Sequence, residues 1–141
     1  MEKYGIDKPD LRNPLIIQDV TDIFKNSDFN AFKGKTVKAI VVPNGATQGR
    51  KFFDKMGEFA TTEEVGAKGL AWTKIEQDDS VTGGIAKFIT SDIKEKLEKQ
   101  IGAEKNSAIF FIADELEKAQ KIAGLVRIEL GKRLELIERK D

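Results

Sequence analysis

The sequence comprises 141 residues, 40% hydrophobic and 34% charged, with 24 basic and 24 acidic side chains and neither histidine nor cysteine. This length suits one domain with a sizeable core, and the balanced charge predicts no bulk attraction to DNA or other nucleic acid. The missing residue types exclude a disulfide framework, cysteine or histidine metal sites and histidine-based catalytic triads.

The chain begins with a polar segment, KYGIDKPDLRNPL (3–15). It has neither a helix nor a strand period, and Pro9 and Pro14 stiffen it. Neither this segment nor any later one is a secretory signal or approaches the roughly 18 apolar residues of a membrane span. We therefore expect a cytoplasmic protein with no membrane partner.

The first regular elements are predicted between residues 15 and 45. LIIQDV (15–20) is an apolar run typical of a buried strand, and TDIFKNSD (21–28) predicts one or two helical turns with Thr21 as N-cap. Two strands follow. Phe29 and Phe32 flank a short one, Gly34 lets the chain turn, and the β-branched run Val37 to Val42 forms the second.

A helix and a hairpin come next. TQGRKFFDKMGEFATTEE (47–64) predicts a helix capped by Thr47. Its apolar face is formed by Phe52, Met56, Phe59 and Ala60. GLAWTKIE (69–76) and IAKFI (85–89) are predicted as two paired strands around a polar loop.

The last third carries the clearest helix signals. TSDIKEKLEKQIG (90–102) predicts a helix capped by Thr90 or Ser91 and stopped by Gly102. SAIFFIA (107–113) predicts a buried strand, and apolar spacings of three and four predict a long helix from Asp114 to about Leu130. Three main helices and about six strands favour an α+β two-layer sandwich, with the helices on one face of a mostly antiparallel sheet.

Charge is unevenly distributed. Residues 33–55 hold six basic side chains against one acidic one, a net +5, whereas residues 58–79 hold two basic against six acidic ones, a net −4. GATQGRK (45–51) could bind an anion or an RNA phosphate where Arg50 and Lys51 enter a helix, or be a solvated turn.

Three other groups are weaker candidates for a site. GKT (34–36) lacks the earlier glycine of a phosphate-binding loop, because Phe29 stands at that position. The carboxylates of 76–79 could hold a hard cation, although a solvated charged turn is favoured because they match no EF-hand spacing. Trp72 lies in an apolar strand, which favours core packing over a stacking platform.

KYGIDKPDLR (3–12) is similar to the [RK]YG-S-DKPDLR signature of bacterial-type aspartyl-tRNA synthetases. The resemblance covers essentially the whole chain. It continues through DVTDIF (19–24), VKAIVVPNG (37–45), GAKGLAW (66–72), IAKF (85–88), FFIAD (110–114) and LVRIELGKRLELI (125–137). Gly84 stands where proline is common in the family, a difference that we expect only to loosen a strand entry.

The resemblance implies a fragment of such an enzyme that contains its insertion domain, often called the GAD domain. Residues 1–14 would be the edge of the class II catalytic core, 15–131 the insertion domain and 132–141 the return to that core. The parent enzyme would attach aspartate to tRNA with ATP and Mg²⁺ and would be a homodimer. The fragment would contain no catalytic, cofactor-binding or metal-binding residues and would be inactive alone.

The insertion domain is expected to flank the acceptor arm of tRNA. The basic segment would then supply phosphate contacts from Lys35, Lys38, Arg50 and Lys51. Two alternatives stay open: a purely structural module that stabilises the catalytic core, and the equivalent tRNA-binding domain of an amidotransferase B-type subunit. The KYGIDKPDLR opening argues against the second, because that motif belongs to the synthetase core.

Overall fold

The computed structural model describes residues 15–25, 29 and 32–139, with side chains up to residue 134. The predictions for residues 1–14 lie outside the described residues. The elements are β1 (Ile17–Asp19), β2 (Thr36–Val42), α1 (Arg50–Ala60), β3 (Ala71–Ile75), β4 (Val81–Thr82), α2 (Ser91–Ile101), β5 (Ser107–Asp114) and α3 (Leu116–Arg139).

The described residues form one five-stranded sheet in the order β1-β2-β5-β3-β4, and every neighbouring pair is antiparallel. The two most apolar strands, β2 and β5, lie at its centre, paired from Thr36 with Asp114 to Val42 with Ala108. The α+β class, the antiparallel sheet and the three main helices are confirmed. The strand count is close to the expected six.

The helices are divided between the two faces of the sheet rather than all lying on one. Side chains of β2 and β5 alternate, because successive residues of a strand point to opposite faces. Ile40 and Phe110 pack with residues of α1 and α3. Ala39 and Phe111 pack instead with residues of α2 and with a group of phenylalanines from the β1–β2 connection. Each face therefore has its own hydrophobic cluster.

The region before β2 differs from its prediction. β1 is only three residues long, and residues 21–25 form a hydrogen-bonded turn. Thr21 does not act as an N-cap: its N–H donates to Asp19 Oδ1 at 2.9 Å, and its Oγ1 accepts from Val37 N–H at 3.0 Å. The short strand predicted at Phe29 and Phe32 is wrong for these two residues, because Phe32 N–H donates to Phe29 O in a tight turn.

Helix α1 begins later than predicted. Thr47 lies in a 3-10 turn, Gly45–Thr47, where its hydroxyl donates to Asn44 O, so it cannot cap α1. The N-cap is Gly49. Phe53 is the most buried aromatic side chain of this helix, whereas the predicted core residues Phe52 and Phe59 are only partly buried.

The hairpin has a different second strand. IAKFI contains a 3-10 turn, Ala86–Phe88, and β3 pairs instead with the two residues of β4. Pairing ends there because Gly83 and Gly84 adopt φ of 73° and 53°, the left-handed region. A Cβ on Gly84 would lie 1.9 Å from Trp72 O, so the chain approaches β3 closely at this glycine. The segment after it is a 3-10 turn, so Gly84 does not stand at a strand entry.

The last three elements follow their local signals. Thr90 caps α2 by accepting from Ile93 N–H at 3.2 Å, and Gly102 ends it at φ 71°. Strand β5 is confirmed. Helix α3 continues past the predicted end at Leu130 to Arg139, since Leu134 still packs on the core. None of the described helices is long and apolar enough to span a membrane.

Candidate nucleic-acid interface

The four predicted RNA-contacting residues lie at three separate places along strand β2. Lys35 precedes the strand, Lys38 lies within it, and Arg50 and Lys51 follow the turn at its far end. Seven residues of strand span about 20 Å at roughly 3.3 Å per residue. The basic segment of the sequence is therefore not one continuous basic surface.

Lys38 is engaged inside the fold. Its Nζ donates to Asp19 Oδ2 at 3.0 Å, and only 11% of the lysine side chain is exposed, against 50% for the aspartate. Partial burial acts to raise the pKa of Asp19, but hydrogen bonds from Thr21 and the Lys38 ammonium outweigh it and hold the pKa below its ordinary value. This lysine joins β1 to β2 and has little surface left for a phosphate.

Arg50 and Lys51 form the first turn of α1 and point into solvent. The Arg50 side chain is 88% exposed and has one weak contact, 4.0 Å to Asp54 Oδ2. Within the described chain, α1 has no side-chain cap at Gly49 and no acidic residue in its first turn. The positive end of the helix dipole thus adds to two exposed cationic side chains, an arrangement that favours an anion.

The acidic loop Glu76–Ser80 lies beside the turn that leads into α1. It borders an open concavity of about 520 Å³ together with Ala46, Thr47 and Asn106. Glu76 and Asp78 face this space, so their negative charge opposes phosphate binding there. Any RNA phosphate at this end would contact the Arg50 and Lys51 side of the turn.

One oxygen of each loop carboxylate is bound by a nearby side chain, whereas Asp79 Oδ1 is buried without a hydrogen-bond partner among the described residues. Asp78 Oδ1 accepts from Ser80 Oγ at 2.6 Å and from Ser80 N at 3.0 Å, which lowers the pKa of Asp78. Glu76 Oε2 accepts from Thr82 Oγ1, and Asp79 Oδ2 lies 2.9 Å from Lys94 Nζ. Across the described ranges no group of three or more acidic side chains is arranged to hold a metal ion.

Trp72 is partly buried and packs against the hydrophobic core. Its indole stacks on Phe53 with ring centroids 4.1 Å apart and planes 17° from parallel. A Cβ built on Gly83 would lie 2.6 Å from indole Cζ3, and one on Gly84 would lie 3.0 Å from Cδ2, so the two glycines approach the same ring closely. This packing confirms the core interpretation of Trp72.

At the opposite end, Lys35 shares a cavity with a residue that the sequence did not single out. Lys35 and Lys68 line one cavity, although they are 33 positions apart and Lys68 falls in the net acidic segment. No local sequence signal connects them, because they precede strands β2 and β3, which are separated in the sheet by β5. The GKT motif here forms a turn at Gly34, φ 70°, that enters β2.

Comparison with known proteins gives a consistent result. The family model described as "GAD domain" matches residues 28–123. An aspartate–tRNA ligase of Streptomyces avermitilis is 50% identical over 133 residues, covering 94% of this chain and 22% of that protein. An aspartate–tRNA(Asp/Asn) ligase of Rickettsia canadensis is 46% identical over 144 residues, covering 99% and 24%. The chain thus spans about a quarter of the length of these relatives.

Proposed function

The chain belongs to the GAD domain family, and from this premise we propose that it acts as the insertion domain of an aspartate–tRNA ligase. The identity of 46–50% to such ligases over nearly the whole chain supports this assignment. The parent enzyme would attach aspartate to tRNA in the cytoplasm as a homodimer. ATP and Mg²⁺ would be bound by its catalytic core, and the insertion domain would perform no chemistry of its own.

We further propose that the insertion domain flanks the acceptor arm of tRNA and contacts its phosphates. The exposed pair Arg50 and Lys51 at the uncapped start of α1 carries this proposal. Lys35 would contact a different part of the RNA, because it lies at the other end of β2. Such contacts position RNA without reading its sequence.

The proposal is tested by titrating the 141-residue chain with tRNA at several salt concentrations. We expect binding that weakens steeply with salt, because each neutralised phosphate contributes roughly −0.7 to −0.9 to the slope of log K against log salt. The double variant Arg50→Ala/Lys51→Ala should bind more weakly and have a slope about 1.5 smaller in magnitude.

A matched control removes two positive charges elsewhere. Lys96 and Lys99 lie on α2 and pair with Asp92 and Glu95 of the same helix. Lys96→Ala/Lys99→Ala should leave the salt slope unchanged. Equal weakening by both double variants would show nonspecific charge attraction, and absence of binding at low salt would refute direct RNA contact.

A structural role is the second candidate, favoured by the exposed apolar residues Ile16 and Ile128, which are 66% and 49% exposed. As part of a longer enzyme, these side chains would be covered by the catalytic core. In this second candidate function the domain stabilises the catalytic core of the parent enzyme. It predicts that tRNA does not bind the chain, which the same titration decides.

A further inference from the structure

A cavity of about 360 Å³ opens on the sheet face that α2 covers, at the end where β2 begins and β5 ends. Phe111 and Ala113 of β5 form its floor, with Ala71 of β3 beside them. This volume lies at the lower end of the roughly 300–1,000 Å³ range of small-molecule sites. The cavity is large enough for a single flat ring system with its attached group.

The walls of the cavity are aromatic and held in place by further rings. Phe32 contacts Phe24 edge to face, with centroids 4.9 Å apart, and Phe29 stacks on Phe88 at 4.6 Å. Phe24 in turn contacts Phe111 at 5.2 Å. Because each wall ring packs on a neighbour, the aromatic surface is preformed rather than assembled by a ligand.

Two lysines stand at the border of the cavity. Lys35 and Lys68 both line it, and neither has an ion-pair partner within residues 15–25, 29 and 32–134. The nearest acidic residue along β5 is Asp114. Because strand residues alternate, it points to the opposite face of the sheet from Ala113, where its Oδ2 lies 3.8 Å from Lys118 Nζ. The cavity thus combines an apolar aromatic interior with positive charge at its border.

We propose that this cavity binds one nucleotide, with the base against the aromatic walls and the phosphate at Lys35 and Lys68. A flat π-system suits an apolar interior lined by Phe29, Phe32 and Phe111, and an anion suits the two ammonium groups. Sites for single-stranded nucleic acid combine the same two elements, an aromatic surface and a cationic one. The nucleotide is either an unpaired nucleotide within an RNA or a free mononucleotide. Binding of an RNA nucleotide rests on the RNA contact proposed above.

The experiment records amide NMR spectra of the 141-residue chain during titration with 5′-AMP, adenosine and a single-stranded adenosine hexanucleotide. With 5′-AMP we expect shifts at Leu70, Ala71 and Ala113. Adenosine, which lacks the phosphate, should bind at least tenfold more weakly. The hexanucleotide should shift the same amides and compete with 5′-AMP, because one of its bases occupies the same cavity.

Two variants separate the cavity from the rest of the surface. Ala113→Leu fills the cavity and should abolish 5′-AMP binding, while Lys35→Ala/Lys68→Ala, which changes only surface cations, should weaken it about tenfold or more. Lys96→Ala/Lys99→Ala, which removes two positive charges paired within α2, is the matched control and should bind 5′-AMP like the parent chain. Absence of 5′-AMP shifts, or equal affinity of the parent chain and the Lys35/Lys68 variant, would overturn the proposal.

The same measurements distinguish the two proposals. Salt-dependent tRNA binding without 5′-AMP binding would overturn the nucleotide cavity and leave the proposed RNA contact standing. Binding of 5′-AMP at the cavity without binding of the hexanucleotide or tRNA would support the cavity as a site for a free nucleotide and refute the RNA contact.

Discussion

Replacing Gly84 by alanine should destabilise the domain far more than the same change at Gly34, which has a similar backbone conformation. Gly84 has φ 53°, where an L-residue with a Cβ costs roughly 1–2 kcal/mol. Its added Cβ would lie 1.9 Å from Trp72 O and 3.0 Å from Trp72 Cδ2. A separation below 3.0 Å to a backbone atom cannot persist, so strand β3 or the glycine segment must move by more than 1 Å.

That displacement acts on two further interactions. Trp72 O accepts from Ile85 N–H at 2.9 Å, and losing a hydrogen bond of this kind costs about 0.5–1.5 kcal/mol. The indole also stacks on Phe53, an arrangement worth about 0.5–1.5 kcal/mol beyond its buried area. Together with the backbone strain, Gly84→Ala should cost about 2–5 kcal/mol.

Gly34→Ala is the matched control. Gly34 has φ 70°, but no atom lies within 4 Å of the position that an added Cβ would take, so this variant should cost only the backbone strain of about 1–2 kcal/mol. A second control, Gly57→Ala, lies inside α1 with open space around the Cβ and should stabilise by about 0.4–1 kcal/mol. The three variants thus separate steric contact, backbone strain and helix propensity.

Urea unfolding followed by tryptophan fluorescence measures these differences directly, since Trp72 is the only tryptophan in the sequence. The midpoint and slope give the free energy of unfolding of each variant. We expect the urea midpoint to be highest for Gly57→Ala, followed by the parent chain, then Gly34→Ala, and lowest for Gly84→Ala. Equal midpoints for Gly34→Ala and Gly84→Ala would refute the contact with Trp72.

Three further changes test other parts of the fold. Asp19→Asn should cost about 1 kcal/mol at pH 7, since the aspartate is half exposed and solvent screens its pair with Lys38. The pKa of Asp19 is lower in the folded state than in the unfolded state, so the Asp19 carboxylate stabilises the fold above its unfolded-state pKa. This stabilisation is lost as the pH falls through the folded-state pKa. The urea midpoints of the parent chain and Asp19→Asn should therefore converge in acid. Thr90→Ala should cost about 1 kcal/mol in urea unfolding, whereas Thr90→Ser keeps the cap and should cost much less; equal losses would contradict capping. Phe53→Ala should cost about 3–5 kcal/mol in thermal unfolding because this ring is fully buried, and the partly buried Phe52→Ala should cost clearly less; the reverse order would contradict the assignment of the buried face.

Helix α2 shows what can be predicted from sequence. Its cap at Thr90, its buried residues Ile93 and Leu97 and its end at Gly102 all follow from signals within one short segment. A capping hydroxyl and the N–H that it accepts from are three residues apart, so their contact is encoded locally. The hairpin was predicted less well, because pairing there ends at Gly83 and Gly84, whose backbone is set by Trp72 on another strand.

The candidate site also has some features that the local sequence indicates and others that depend on strand pairing. Sequence correctly indicated that Arg50 and Lys51 enter a helix behind a glycine turn, since that arrangement is local. It also grouped Lys38 with them by charge alone. In the tertiary structure Lys38 pairs with Asp19 of β1, whose carboxylate lies 3.0 Å from its ammonium.

The sequence by itself determined the class of fold, the cap and end of α2, the two central strands and the family to which the chain belongs, because each of these depends on residue patterns along a continuous segment. Only the tertiary structure decided which side chains share a surface. Lys35 and Lys68 meet at one cavity because β5 pairs with both β2 and β3. Strand pairing joins residues that are distant in sequence, so no local pattern records it.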